Sequence, residues 1–222
     1  MKEKPIDKRS EFEAVRHHPI GGWRYILIEL GIVTAGLFIA LMLNGVVEWA
    51  HHKQLVRDAR HNIQREVAVN RQKVRKNIAY LRASLAGVNG NIATLQQMRA
   101  GKFKRGSLAN QMDFDNLDDA AWQTAKNTEA LSYMPYDEAQ RYSGLYSMVT
   151  LINNRAQTVA DTDFNAMAPA EMGYDIGRMP SDELTAMLRA NAQAKIGVIT
   201  LMQMLGEVDQ ELSKDSHPDG AR

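Results

Sequence analysis

The sequence predicts an all-α protein, a single N-terminal transmembrane helix continuing into an antiparallel bundle of about four helices, and three observations carry this reading. Residues Tyr25 to Val47 form an apolar run, YILIELGIVTAGLFIALMLNGVV, in which Glu29 is the only charge and Asn44 the only amide. Beyond it, apolar residues recur at alternating spacings of four and three, and no stretch alternates as a half-buried strand would. Pro135, Pro169 and Ser181 then punctuate the chain at helical lengths.

The apolar run has about the twenty residues that cross a hydrocarbon layer roughly 30 Å thick. Trp23 and Tyr25 at one end and Trp49 at the other stand where amphipathic rings anchor at headgroups. A cleaved signal peptide has a shorter apolar core followed by a small-x-small site, whereas this core is long and ends in Asn-Gly-Val-Val-Glu-Trp. An uncleaved signal anchor in the lipid bilayer is therefore expected. The flanking basic residues do not orient it: Lys8, Arg9, Arg16 and Arg24 on one side balance Lys53, Arg57, Arg60 and Arg65 on the other. A long C-terminal domain translocates largely regardless of charge, so the expected topology is a cytoplasmic N-terminus with the domain periplasmic or extracellular. Arg71, Lys73, Arg75 and Lys76 count against it.

Four segments follow: a short N-terminal segment (1–24), the membrane helix (25–47), a helical extramembrane domain (48–213) and a disordered tail (214–222). The first domain helix is expected from Glu48 to about Met98, with Val67, Val74, Ile78, Leu81, Leu85, Val88, Ile92 and Leu95 on one stripe. Gly87 and Gly90 weaken it, so a kink or break is expected there. Ala100 to Asn116 lacks periodicity and reads as a loop. A second helix is expected from Leu117 to Leu131, opened by Asp118 and Asp119. A third starts at Pro135, with Asp137 and Glu138 in its first turn, and ends near Met167, ahead of Pro169. After a loop, APAEMGYDIGRMP, Ser181 caps a fourth helix carrying Leu184, Leu188, Ile199, Met202, Leu205 and Leu212 to about Ser213.

Charge divides between the halves of the domain. Residues 48–105 hold thirteen Lys or Arg against three acids, and 113–222 hold eight against eighteen. One reading is a basic surface for phosphates, with anionic lipid as the partner; the other is a basic helix packed beside acidic ones, which needs no partner. No nucleic-acid partner is expected. Within the membrane, Gly36, Ala40 and Asn44 fall within roughly 60° of Glu29 on the helical wheel. That polar, small-residue face suits self-association or another membrane protein's helix. The alternative is that Glu29 snorkels to the headgroups.

These residues also carry a resemblance. The string E-L-G-I-V-T-A-G-L-F-I-A-L-M-L-N, with Glu29, Gly36, Ile39, Ala40, Leu41 and Asn44 as matching positions, resembles the anchor of an uncharacterised family of small single-pass bacterial membrane proteins. The segment AAWQTAKNTEALSYMPYDEAQRYSGLY is similar to the region of that family where a tryptophan-bearing helix meets a tyrosine-rich one, here Trp122, Tyr142 and Tyr146. The resemblance implies a bacterial cell membrane and a helical domain. It brings no activity, substrate or catalytic residue.

Tyr142 and Tyr146 share a helical face, Trp122 precedes them, and Tyr133 and Tyr136 flank the intervening turn. They form either the densest part of the core or the lining of a small-ligand pocket between helices. Catalytic, cofactor-binding and metal-binding residues are all expected to be absent. There is no cysteine, and the six histidines, among them His17, His18, His51, His52 and His61, do not converge as ligands. RAGKFKRGS lacks phosphate-loop spacing, and neither G-x-S-x-G nor H-E-x-x-H occurs. The expected function is a non-enzymatic accessory, scaffold or sensor subunit of the bacterial envelope. The alternative is a ligand-binding sensory module using the aromatic pocket.

Overall fold

A computed structural model describes residues 22–102, 108–109, 112–172 and 178–215. Four α-helices and one 3₁₀ turn account for most of them: α1 (Trp23–Arg99), α2 (Ala120–Asn127), the turn Ala130–Tyr133, α3 (Tyr136–Glu171) and α4 (Ser181–Asp215). No strand occurs among the described residues, and the protein is all-α. Its contacts divide the chain into two units that meet at His51 and His52.

In the first unit every described residue, Gly22 to His51, is exposed, including the full apolar run. This part of α1 is long and apolar enough to span a membrane. Residues 1–21, with His17, His18 and three of the counted basic residues, lie outside the described residues, as do the glycine-containing segment 103–107 and most of the expected tail.

The second unit is built on three long helices, each with a seam of buried positions at heptad spacing. On α1 these are Ile63, Val67, Asn70, Val74, Asn77, Leu81, Ser84, Val88, Asn91, Leu95 and Met98. Tyr142, Leu145, Val149, Ile152, Ala156, Val159, Asp163 and Ala166 form the seam on α3, and Leu184, Met187, Asn191, Ala194, Val198, Leu201, Leu205, Val208 and Leu212 on α4. Alternating steps of three and four keep one seam of each helix facing its neighbours, the pattern of knobs-into-holes packing. Contacts between Arg60 and Glu138, Glu66 and Tyr146, and Asn91 and Met167 show that α1 and α3 run in the same direction. The contact of Asn91 with Asn191 and the approach of Gly197 to Val159 bring α4 back antiparallel to both. A Cβ on Gly197 would stand 3.0 Å from a Val159 methyl, so glycine there sets how closely α3 and α4 approach.

The structure corrects several expected boundaries. α1 passes through Gly87 and Gly90 without a break. Gly87 instead serves a close approach, since a Cβ there would lie 3.3 Å from that of Ala109. α2 begins at Ala120 rather than Leu117 and stops at Asn127, where Glu129 takes a left-handed conformation (φ 60°). Pro169 does not end α3: Met172 N–H still bonds the Ala168 carbonyl at 3.0 Å, and proline removes only one bond near the helix end. Ile78, Leu85 and Ile92 are only partly buried and Ile199 is exposed, because the seam turns toward Asn70, Asn77, Ser84 and Asn91 on α1 and toward Met187 and Val198 on α4.

Candidate functional site

The described non-helical residues ahead of α2, 108–109 and 112–119, belong to a strap that organises the second unit. A peptide backbone outside helix and sheet must find partners for its N–H and C=O groups, or bury them at a cost. Here carboxamides supply them, because an asparagine side chain offers one acceptor and one donor edge, like a peptide unit. Asp118 N–H donates to Asn70 Oδ1 and its carbonyl accepts from Asn70 Nδ2, both at 2.8 Å. Asp115 makes the same pair with Asn77, both at 2.8 Å, and Ala109 with Asn91 at 2.7 and 2.8 Å. From α3, Asn153 grips Leu117 at 3.0 and 2.9 Å.

The spacing follows from geometry. Seven residues of α-helix rise about 10.5 Å, and three residues of extended chain span about 10 Å. Asparagines seven apart on α1 therefore meet residues 118, 115 and 109, multiples of three apart on a strap running the opposite way. Cations on α1 reinforce it. Lys73 reaches Asp118 Oδ1 at 2.6 Å and the Asn116 carbonyl at 2.9 Å, and Lys76 reaches Asp115 Oδ2 at 2.7 Å. The bond to Asp115 holds the Lys76 ammonium above the usual lysine range. These contacts explain the late start of α2: the backbones of Leu117 and Asp118 are committed to Asn153 and Asn70.

The aromatic residues singled out by the sequence come together beyond the end of the strap. Trp122 and Tyr146 stack with ring centroids 5.3 Å apart and planes 4° from parallel, and they are 8% and 1% exposed. Tyr142 is buried in the same core. Glu66 joins three elements, accepting the Tyr146 hydroxyl at 2.6 Å on Oε1 and the Ala121 N–H at 2.8 Å on Oε2. Burial, then the bond to Glu66, pushes the Tyr146 phenol well above its ordinary range. Nearly two turns closer to the start of α1, Arg60 forks onto Glu138 with two bonds of 2.6 Å. That bond raises the guanidinium further.

Two larger cavities lie away from the strap. A largely apolar cleft of about 370 Å³ separates the end of α3 from the start of α4, bounded by Asn165, Pro169, Met172, Glu183 and Met187. Another of about 430 Å³ lies by Asp137, Arg141, Leu145, Met148 and Glu211. Glu29, Gly36, Ala40 and Asn44 are all exposed on the first unit, and a Cβ on Gly36 would meet nothing within 4 Å. His52 stacks on Tyr133 at 3.6 Å, and no cluster of metal-ligating side chains occurs among the described residues.

The asparagines escaped the sequence reading, as did Glu66 and Asn153. Their signal was present as N-x6-N-x6-S-x6-N, interleaved with Val67, Val74, Leu81, Val88 and Leu95. Compared with protein-family models, curated proteins and solved structures, the chain has no match.

Proposed function

We propose that this is a single-pass protein of a bacterial cell membrane, its domain outside the cytoplasm, acting as a non-enzymatic accessory, scaffold or sensor subunit. The observation that carries the reading is the exposure of every residue from Gly22 to His51, an apolar surface that lipid covers at no cost. The polar, small-residue face with Glu29, Gly36, Ala40 and Asn44 supports association with a second copy or with another protein's helix. An intramembrane carboxyl and amide gain by facing a partner rather than lipid tails. The Trp122 and Tyr146 stack fills the space between α2 and α3, which favours a structural role for the aromatic residues over a ligand pocket. The cations of α1 that point away from the strap, such as Arg57, Arg65, Arg75 and Arg82, are exposed and offer a secondary contact with anionic headgroups.

The test is a mild-detergent pulldown of the full-length protein, with crosslinking, compared between the natural chain and Gly36→Leu. A branched side chain at Gly36 holds an approaching helix away, so both the crosslinked product and any copurifying membrane protein should fall severalfold. Association unchanged by Gly36→Leu would remove this face from the proposal.

A further inference from the structure

The series of asparagines on α1 is broken at one place. Positions 70, 77 and 91 carry Asn, whereas the intervening heptad position is Ser84. By the three-residue step of the strap, its counterpart is Met112. A serine side chain is too short to pair with a backbone that three carboxamides hold at their own length. The Ser84 hydroxyl is 4% exposed and has no hydrogen-bond partner. Beside it lies a cavity of about 60 Å³, walled by Ala83, Ser84, Gly87 and Val88 of α1, Ala109 of the strap and Asp163 of α3. Asp163 occupies a heptad core position, is 3% exposed, and has no hydrogen bond to a described residue. The wall carries no other ionisable group: α1 presents a hydroxyl, glycine and aliphatic carbons, and the strap an alanine. On α4 the polar group one turn along is Asn191, which is uncharged and already bonded to Asn91 and to the Met187 carbonyl.

We propose that the interrupted position at Ser84 is a buried water site shared with Asp163, through which proton binding at Asp163 tunes the hold on the strap. A cavity needs only about 10 to 15 Å³ of probe-occupied volume to accept a water, and the water needs two or more polar partners. The Ser84 hydroxyl and the Asp163 carboxyl are two, and both are otherwise unspent. With Asp163 protonated, its O–H donates to a bridging water and the site is neutral. With Asp163 ionised, a charge lacking a cationic partner draws more water against the Ala109 wall, because an unpaired buried carboxylate is costly to leave dry. Ala109 is the residue held by Asn91, so the end of the strap nearest this site loosens first.

The sign follows from geometry and agrees with the direction in which burial moves the carboxyl, upward from its ordinary value. A raised folded-state pKa means that the folded protein binds the proton more tightly than the unfolded chain. The hold on the strap is then fullest at low pH and is lost as pH rises through the folded-state value.

The experiment is amide hydrogen exchange on the full-length protein in detergent micelles across a pH series, corrected for intrinsic exchange, reading peptides that cover the strap. Protection of the strap in the natural chain should fall severalfold as pH rises from the ordinary carboxylate range through the raised value at which the buried Asp163 ionises, while peptides from α4 stay level. Asp163→Asn should flatten the profile near its acid-side level. Ser84→Asn should fill the gap, pair with Met112 and raise strap protection at every pH, which keeps the test decisive if Asp163→Asn does not fold. A flat profile in the natural chain, a pH dependence that survives Asp163→Asn, or strap protection lowered by Ser84→Asn would each overturn the proposal.

Discussion

Glu66 shows how one side chain can be both unremarkable in sequence and central in structure. It sits in a helix dominated by Lys and Arg, where a lone acid reads as a solvent-facing charge. Its two oxygens instead join the Tyr146 hydroxyl and the Ala121 N–H, tying α1 to the first residues of α2 and to α3. The aromatic pair it serves was legible, because Trp122, Tyr142 and Tyr146 fall on facing positions of two expected helices. Glu66 was not, since nothing in a sequence says which long-range partner a charge will find. Tyr146→Phe should cost about 1 to 3 kcal/mol, the penalty for leaving a part-buried carboxylate oxygen without its donor. Trp122→Ala, which removes a stacked ring from the core, should cost about 3 to 5 kcal/mol. Thermal unfolding of the full-length protein, followed by circular dichroism, should rank the two in that order. A Tyr146→Phe protein as stable as the natural chain would mean that water satisfies Glu66 in its place.

At the scale of elements, the expected helices were found, and the displaced seam of α1 and the late start of α2 share one cause. The period of four and three was legible on α1, but the stripe drawn through Ile78, Leu85 and Ile92 lies one residue away from the true seam at Asn77, Ser84 and Asn91. Hydrophobicity alone chooses the apolar neighbour, whereas the fold buries carboxamides because a strap needs them. The same strap explains why Gly87 does not break α1 and why α2 starts three residues late. In a bundle of four full helices, the heptad position now held by asparagine would carry leucine or valine. Here the strap takes the place of a long second helix beside α1, and its backbone is paired by side chains rather than by another strand. Asn77→Ala deletes one paired contact and leaves the Asp115 N–H and carbonyl to seek water, a loss of about 1 to 3 kcal/mol. Hydrogen exchange should localise that loss to the strap and leave α4 unchanged. If exchange instead accelerates equally throughout the second unit, the strap is an inseparable part of the core and not a separately held element.

For the whole molecule, the opposite charges of the two halves of the domain find one another in part. Lys73 and Lys76 meet Asp118 and Asp115 on the strap, and Arg60 meets Glu138 on α3. Partly exposed pairs of this kind add little stability each, but they hold basic α1 against the acidic segments that follow it. Topology depends on distance instead. Positive residues retain a segment in the cytoplasm when they stand within about 15 to 20 residues of the span's end, and Arg71, Lys73, Arg75 and Lys76 lie beyond that reach. The topology proposed for this chain therefore places the N-terminus in the cytoplasm and the domain on the far side. Because the chain has no cysteine, single cysteines report their own side of the membrane without background. Gln193→Cys, on an exposed face of α4, should react with a membrane-impermeant maleimide added from outside the cell membrane. Ser10→Cys should react only after that membrane is opened. The reverse pattern would place the bundle in the cytoplasm and make the basic face of α1 a candidate for the anionic inner leaflet, with partners to be sought among cytoplasmic proteins.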